Sequence, residues 1–283
     1  MQKLLKRFAF TFDLESDYAG CINQYKIFED SHRIEEVLAR FESLGVRLTV
    51  FVVGEIIERF PNIIKLFEKY KCEFQIHSYT HNIVRPNLED EIKKAKQAYL
   101  NYFHKNPIGY RAPQGRITTA ACALLEKHGF LFDSSIFPSY YPNPLRYLFC
   151  ERQIHCIPNT NLVEIPLASI TPFRITLSVS YLKLLGMSCF SMLFKLFPLP
   201  NFICFSGHLH DFIVIEESYQ KLNYFWKFIY GRNKYAGLEF CVSFLQYLKK
   251  QKYQFCYLSE IYNHSQSSKQ MQVNMTHDAQ RTI

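Results

Sequence analysis

Apolar and polar positions along most of this chain alternate between two periods. Short apolar runs at 8–12, 46–53, 74–76, 108–110 and 130–132 read as strands. The stretches between them carry apolar residues three and four apart. Ser31 opens one as an N-cap, with Ile34, Val37, Leu38 and Phe41 on one face and Gly45 as its stop. Pro61 opens a second through Tyr70, residues 88–103 form a long charged helix, and Gly129 closes a fourth over 118–128. Strands and helices in this alternation predict an α/β fold with a parallel sheet, either doubly wound or closed into a barrel.

The pattern loosens from Pro138. Pro138, Pro142, Pro144 and Pro158 mark a loop-rich excursion over 138–160, ahead of a strand at 162–165. Residues 175–205 are the most apolar part of the chain. Lys183 and Lys195 interrupt that stretch and Pro198 and Pro200 break it, so it reads as a core helix with a connector rather than a bilayer span. A strand at 202–205 then delivers Ser206-Gly207-His208-Leu209-His210-Asp211. Helices over 216–230 and 236–250 and a strand at 255–257 complete a domain spanning 1–262. The Ser-, Gln- and Asn-rich residues 263–283 are expected to be a disordered tail.

Composition narrows the class. The 283 residues are 48% hydrophobic and 20% charged, which excludes wholesale disorder. A net charge of +8 favours anionic partners such as phosphates or lipid headgroups. With no Lys/Arg block longer than two and no recognisable binding module, nucleic acid is not expected. Nine scattered cysteines without a Cys-x-x-Cys pair suggest a reducing compartment. The first residues lack the apolar stretch of a signal peptide, so a cytoplasmic location is expected.

The chemistry-bearing residues share one position: each follows an apolar strand. Asp13 and Glu15 point the same way by strand alternation, while Leu14 faces packing. His77 and His81 lie four apart after the run ending at Ile76, and imidazole is a common metal ligand. Arg111 and His208 end two further strands. In α/β barrels the active site occupies this end, where loops vary without disturbing the core.

Three stretches, Thr11-Phe12-Asp13-Leu14-Glu15, His77-Ser78-Tyr79-Thr80-His81 and Arg111-Ala112-Pro113-Gln114-Gly115, resemble the first three motifs of the polysaccharide deacetylases with a NodB-homology domain. The likeness runs over about 7–262 and implies a distorted (β/α) barrel. It also implies a divalent metal ion, zinc first, held by one carboxylate and two histidines. Leu14 stands where the commonest first motif has its ligand acid, so the resemblance is to branches reading Asp-x-Glu or Asp-x-Asp. It assigns Glu15, His77 and His81 as ligands, with Asp17 as the alternative to Glu15. Asp13 would be the base, held by Arg111, and His208 the acid, with His210 as its alternative. Asp133 falls near the fourth motif, where a turn role is equally open.

The activity so implied is metal-dependent removal of an N-acyl group, N-acetyl first, from an amino sugar or glycan precursor. Charge and the apolar stretch at 184–194, flanked by Lys183 and Lys195, favour a lipid-linked precursor and peripheral contact with the inner membrane face. The alternatives are a deformylase or allantoinase-like amidase of the same superfamily, and a non-catalytic glycan-binding protein on this fold.

Overall fold

In the computed structural model, residues 5–84, 88–139 and 147–267 are described. The first strand sets the architecture. In β1 (Arg7–Leu14), Phe8, Phe10 and Phe12 alternate with Ala9, Thr11 and Asp13. The three rings belong to the large core under the helices, where they meet Phe41, Phe205 and Phe244. Ala9 instead joins a second core with Phe51, Phe132, Val163 and Cys204. One strand thus has an aromatic face for the helices and a small, polar face for the sheet's concave side.

The other strands are β2 (Leu48–Val52), β3 (Glu73–Ile76), β4 (Gly109–Tyr110), β5 (Phe132–Asp133), β6 (His155–Cys156), β7 (Val163–Glu164), β8 (Ser169–Ile170), β9 (Ile175–Thr176), β10 (Phe202–His208) and β11 (Gln254–Phe255). The helices are α1 (Ser31–Ser43), α2 (Gly54–Arg59), α3 (Pro61–Lys69), α4 (Glu89–Phe103), α5 (Thr119–Lys127), α6 (Val179–Leu185), α7 (Met187–Leu196), α8 (Glu216–Lys221), α9 (Tyr224–Gly231) and α10 (Gly237–Lys250). Strands run β10-β1-β2-β3-β4-β5-β7-β6, all parallel except β6, and β11 pairs with the start of β1. β8 and β9 form a separate antiparallel hairpin. The sheet curls until the chain beyond β7 meets β10: Ala168 N donates to Cys204 O at 2.9 Å, and Ser178 bridges Ser206. The result is a distorted half-barrel of the NodB type, with the strand ends that carry polar residues at one rim.

Several local expectations change. Asp30, not Ser31, caps α1, accepting from Arg33 N, because Asp30 is the last residue with non-helical dihedrals. The helix expected over 216–230 is two, since Leu222 is extended and Asn223 caps α9 through Trp226 N. The apolar stretch 175–205 holds β9 and two helices rather than one. Gly186, at φ 82°, separates α6 from α7, and the pair bends by 102°. No single helix among the described residues is long and apolar enough to cross a membrane; α6 and α7 pass that test only as a bent pair. Residues 258–267 are helical, five residues into the expected tail, and 268–283 lie outside the described residues. So do residues 140–146 of the loop-rich excursion.

Candidate active site

β1 and β10 pair so that Asp13 stands opposite His208. Glu15 follows one step beyond the strand, and β3 ends one residue before His77. Ser78 and His81 both adopt left-handed backbone, with φ of 61° and 57°. These two reversals fold the loop back, so that the His77 and His81 rings lie 5.0 Å apart. Glu91 on α4 pins the loop by accepting from Tyr79 N, Thr80 N and the Thr80 hydroxyl. Gly20 makes room for the second ring, since a Cβ there would come within 2.6 Å of His81 Nδ1.

Glu15 is the meeting point. Its Oε2 lies 2.5 Å from His81 Nε2 and 3.5 Å from His77 Nε2. His77 Nδ1 donates to the Arg111 carbonyl at 2.8 Å, which fixes the tautomer and leaves Nε2 with a lone pair directed at Glu15. Burial works against the Glu15 charge, but His81, His77 and His208 together hold its carboxyl well below the usual range. Burial likewise opposes charge on His81, and Glu15 overrides it, raising that imidazole above its ordinary value. Glu15 Oε1 is buried without a hydrogen-bond partner among the described residues. The three ligand atoms lie within 4.8 Å of one another. One carboxylate and two imidazoles converging at that spacing, with an oxygen left over, are a donor set that fits a divalent cation such as zinc.

Arg111 lies wholly inside the barrel and every nitrogen has a partner. Nη1 donates to Asp13 Oδ1 at 2.6 Å and to Thr11 Oγ1 at 3.0 Å, and Nε and Nη2 donate to Ser134 O and Oγ. The guanidinium also sits 4.1 Å over the Phe51 ring. Asp13 is therefore held by a short charge-assisted bond to an immobile donor.

Of the two late histidines, His208 faces this centre, with Nε2 3.4 Å from Glu15 and 3.7 Å from Asp13. Burial opposes its protonation, yet Asp211, Glu15 and Asp13 outweigh burial and push its pKa up to about 9. His210 stacks behind it and packs against the tilted Tyr18 ring and edge-on against Tyr230, and burial drives its pKa down to about 3. Asp17 is occupied elsewhere, accepting from Lys26 N, Ile27 N and the Ser218 hydroxyl. Asp133 accepts from Ser135 N and Oγ and pairs across the strands with Glu164, so it has a turn role in a separate acid pair.

The sequence reading missed the support behind His208. Asp211 accepts from His208 N and from Ser180, and buried Lys183 lies 3.5 Å from it. A lone lysine inside an apolar run was the available signal. It also missed the wall facing the polar centre. A cleft open to solvent is lined by Asp13, Glu15 and His208 on one side. Its other side is apolar, with Leu184 from α6 and Phe225 and Trp226 from α9.

A family model described as polysaccharide deacetylase matches residues 5–132. Over this segment, just under half of the chain, the sequence is similar to that family. The segment contains Asp13, Glu15, His77, His81 and Arg111, while His208 lies beyond it. A peptidoglycan deacetylase-like protein of Gibberella zeae is 28% identical over 140 residues, covering 44% of this chain and 41% of that protein. A peptidoglycan deacetylase of Helicobacter pylori is 28% identical over 123 residues, 41% of this chain and 42% of its own length. The matches thus span about two fifths of either deacetylase. Among solved structures, a Pseudomonas aeruginosa protein named as a probable polysaccharide deacetylase aligns with TM-score 0.61 at 15% identity, over 91% of this chain and 90% of its own. An allantoinase aligns equally well, with TM-score 0.61 at 15% identity over 91% and 89%. A Bacillus anthracis pseudoenzyme aligns with TM-score 0.52 at 12% identity over 91% and 66%. At these identities, likeness to the solved structures extends to the fold alone.

Proposed function

We propose that this protein is a divalent-metal-dependent hydrolase that removes an N-acyl group, N-acetyl first, from an amino sugar of a glycan or lipid-linked glycan precursor at the cytoplasmic membrane face. The observation that carries this reading is the convergence of Glu15, His77 and His81 beside the Asp13–Arg111 pair. Glu15, His77 and His81 would hold the metal, zinc first. When bound, it would polarise the amide carbonyl and ease deprotonation of water. Asp13, fixed by Arg111, takes the proton from the attacking water. His208, kept protonated by its surrounding carboxylates, gives a proton to the departing nitrogen, so that the C–N bond breaks to release acid and amine. Without that proton the tetrahedral adduct would expel water instead.

Metal analysis of the purified protein beside a Glu15→Ala variant tests the reading. We expect close to one bound divalent ion per chain in the wild type and loss of both metal and turnover in the variant. A metal-free wild type that still binds glycan would favour a binding module. Assaying N-acetyl, N-formyl and cyclic-amide substrates in parallel separates deacetylase from deformylase and allantoinase-like chemistry.

A further inference from the structure

The apolar wall of the cleft does not stop at its mouth. On α9, Tyr224 is 93%, Phe225 60% and Phe228 67% exposed, although neighbouring Trp226 lines the cleft. The helix, Tyr-Phe-Trp-Lys-Phe-Ile-Tyr-Gly, therefore carries aromatic residues on the face toward the site and on the face toward water. A surface helix of a globular protein ordinarily keeps one face polar. Two polar contacts tie this helix's end to the bent helix pair: Arg232 Nε donates to Leu184 O at 2.6 Å and Asn233 Nδ2 to Lys183 O at 2.7 Å. Beyond Gly186, α7 buries Phe190 but leaves Met192 and Leu196 exposed.

Charge adds an independent observation. No Asp or Glu occurs between Glu164 and Asp211, a stretch whose outward cations are Arg174 and Lys195, Lys183 being buried against Asp211. None occurs between Glu217 and Glu239 either, where Lys227 and Arg232 lie beside Lys221 and Lys234, the last two paired with Glu217 and Glu216. The two helices with these exposed apolar side chains thus carry Lys195 and Lys227 and no acid. Aromatic rings favour the headgroup level of a bilayer, and nearby Lys and Arg are drawn to anionic lipid. A second copy of this chain would have to bring the same positive charge against itself.

We propose that α9, continued by the exposed side of α7, docks on an anionic lipid surface and holds the cleft mouth against it. The docking does not depend on the hydrolase reading. It deepens that reading by supplying a route for a substrate whose sugar stands on a lipid.

Sedimentation of the full chain with vesicles, without substrate, tests the docking alone. We expect binding to phosphatidylcholine mixed with phosphatidylglycerol, little binding to phosphatidylcholine alone, and release by salt. Tyr224→Ser combined with Phe228→Ser, neither of which lines the cleft, should weaken vesicle binding by roughly tenfold or more. The same pair should leave hydrolysis of a short soluble substrate unchanged. Leu131→Ser, at the opposite end of the strands, should change neither. The chain's one tryptophan, Trp226, gives a second readout through its emission on vesicle addition. Failure of the wild type to bind anionic vesicles overturns the inference, as does equal binding by the double variant. A double variant that keeps vesicle binding but loses retention on an insoluble glycan would make α9 a sugar platform instead. A double variant that shifts only the oligomeric mass would make it a self-interface.

Discussion

Two pairs of buried carboxyls sit on opposite faces of one sheet, and their surroundings treat them in opposite ways. Asp13 and Glu15, at the end of β1, face the Arg111 guanidinium and the imidazoles of His77, His81 and His208. His81 foremost, with His77 and His208, holds Glu15 well below the ordinary carboxylate range despite its burial. Asp133 on β5 and Glu164 on β7 are just as buried, but across the strands each faces the other. Burial, followed by Asp133, pushes Glu164 well above the ordinary range. What each member of this second pair receives is a hydroxyl or amide donor, from Ser135 to Asp133 and from Ile136 to Glu164. Burial alone thus yields a carboxyl that keeps its proton. A carboxylate able to bind metal or take a proton needs cations built around it.

The difference can be erased by mutation. Arg111→Met would leave Asp13 buried without its donor, turning the first pair toward the second. We expect stability to fall by about 3–5 kcal/mol, as for other broken buried ion pairs. Turnover should fall roughly 10²–10⁴-fold with the loss of an oriented base. Thermal denaturation and initial rates measure the two effects. Asp13→Asn separates them, since it should lose a similar factor in turnover while keeping its metal. Unchanged turnover in either variant would remove Asp13 from the mechanism.

The next comparison lies within the histidine stack. His208 is surrounded by carboxylates, whereas His210, one ring behind, has aromatic neighbours and its pKa is pushed down to about 3. His208→Gln should cost roughly 10²-fold in kcat. His210→Phe, which keeps the packing against Tyr18 and Tyr230, should cost about an order of magnitude less. Equal losses would mean that the stack, rather than the proton on His208, matters.

Much of this was readable from residues because local periodicity sets it. Strand alternation puts Asp13 and Glu15 on one side of Leu14, and the strand ends mark where His77, Arg111 and His208 emerge. Legibility ends where distant segments meet. Asp211 was quoted within the His-Leu-His-Asp run, yet its partner Lys183 comes from a helix that composition marks only as apolar. The left-handed turns at Ser78 and His81 carry no sequence signature, since neither position is glycine. Asn223 was hidden as a helix cap by the aromatic residues after it, so the α8–α9 break and the apolar wall both went unseen.

The second acid pair offers the smallest effect and the cleanest sign. Unfolded, Glu164 ionises near its ordinary value of 4.5; folded, it ionises well above that. Below 4.5 both states are protonated, and the pair contributes its full stability. As pH rises past that value the unfolded chain releases its proton while folded Glu164 retains it. Stability therefore falls with rising pH until folded Glu164 itself ionises. Glu15 and Asp211 shift the other way and contribute the opposite slope, so the wild-type curve alone cannot isolate the pair. Glu164→Gln can, because its amide has the same size, still offers Ile136 N an oxygen, and does not titrate. At pH 4 the two proteins should melt together. Toward pH 8 the variant should gain about 1–2 kcal/mol on the wild type, roughly 2–8 °C in Tm. Melting curves that stay parallel from pH 4 to pH 8 would mean that Glu164 holds no displaced proton, and the contrast between the two acid pairs would fail.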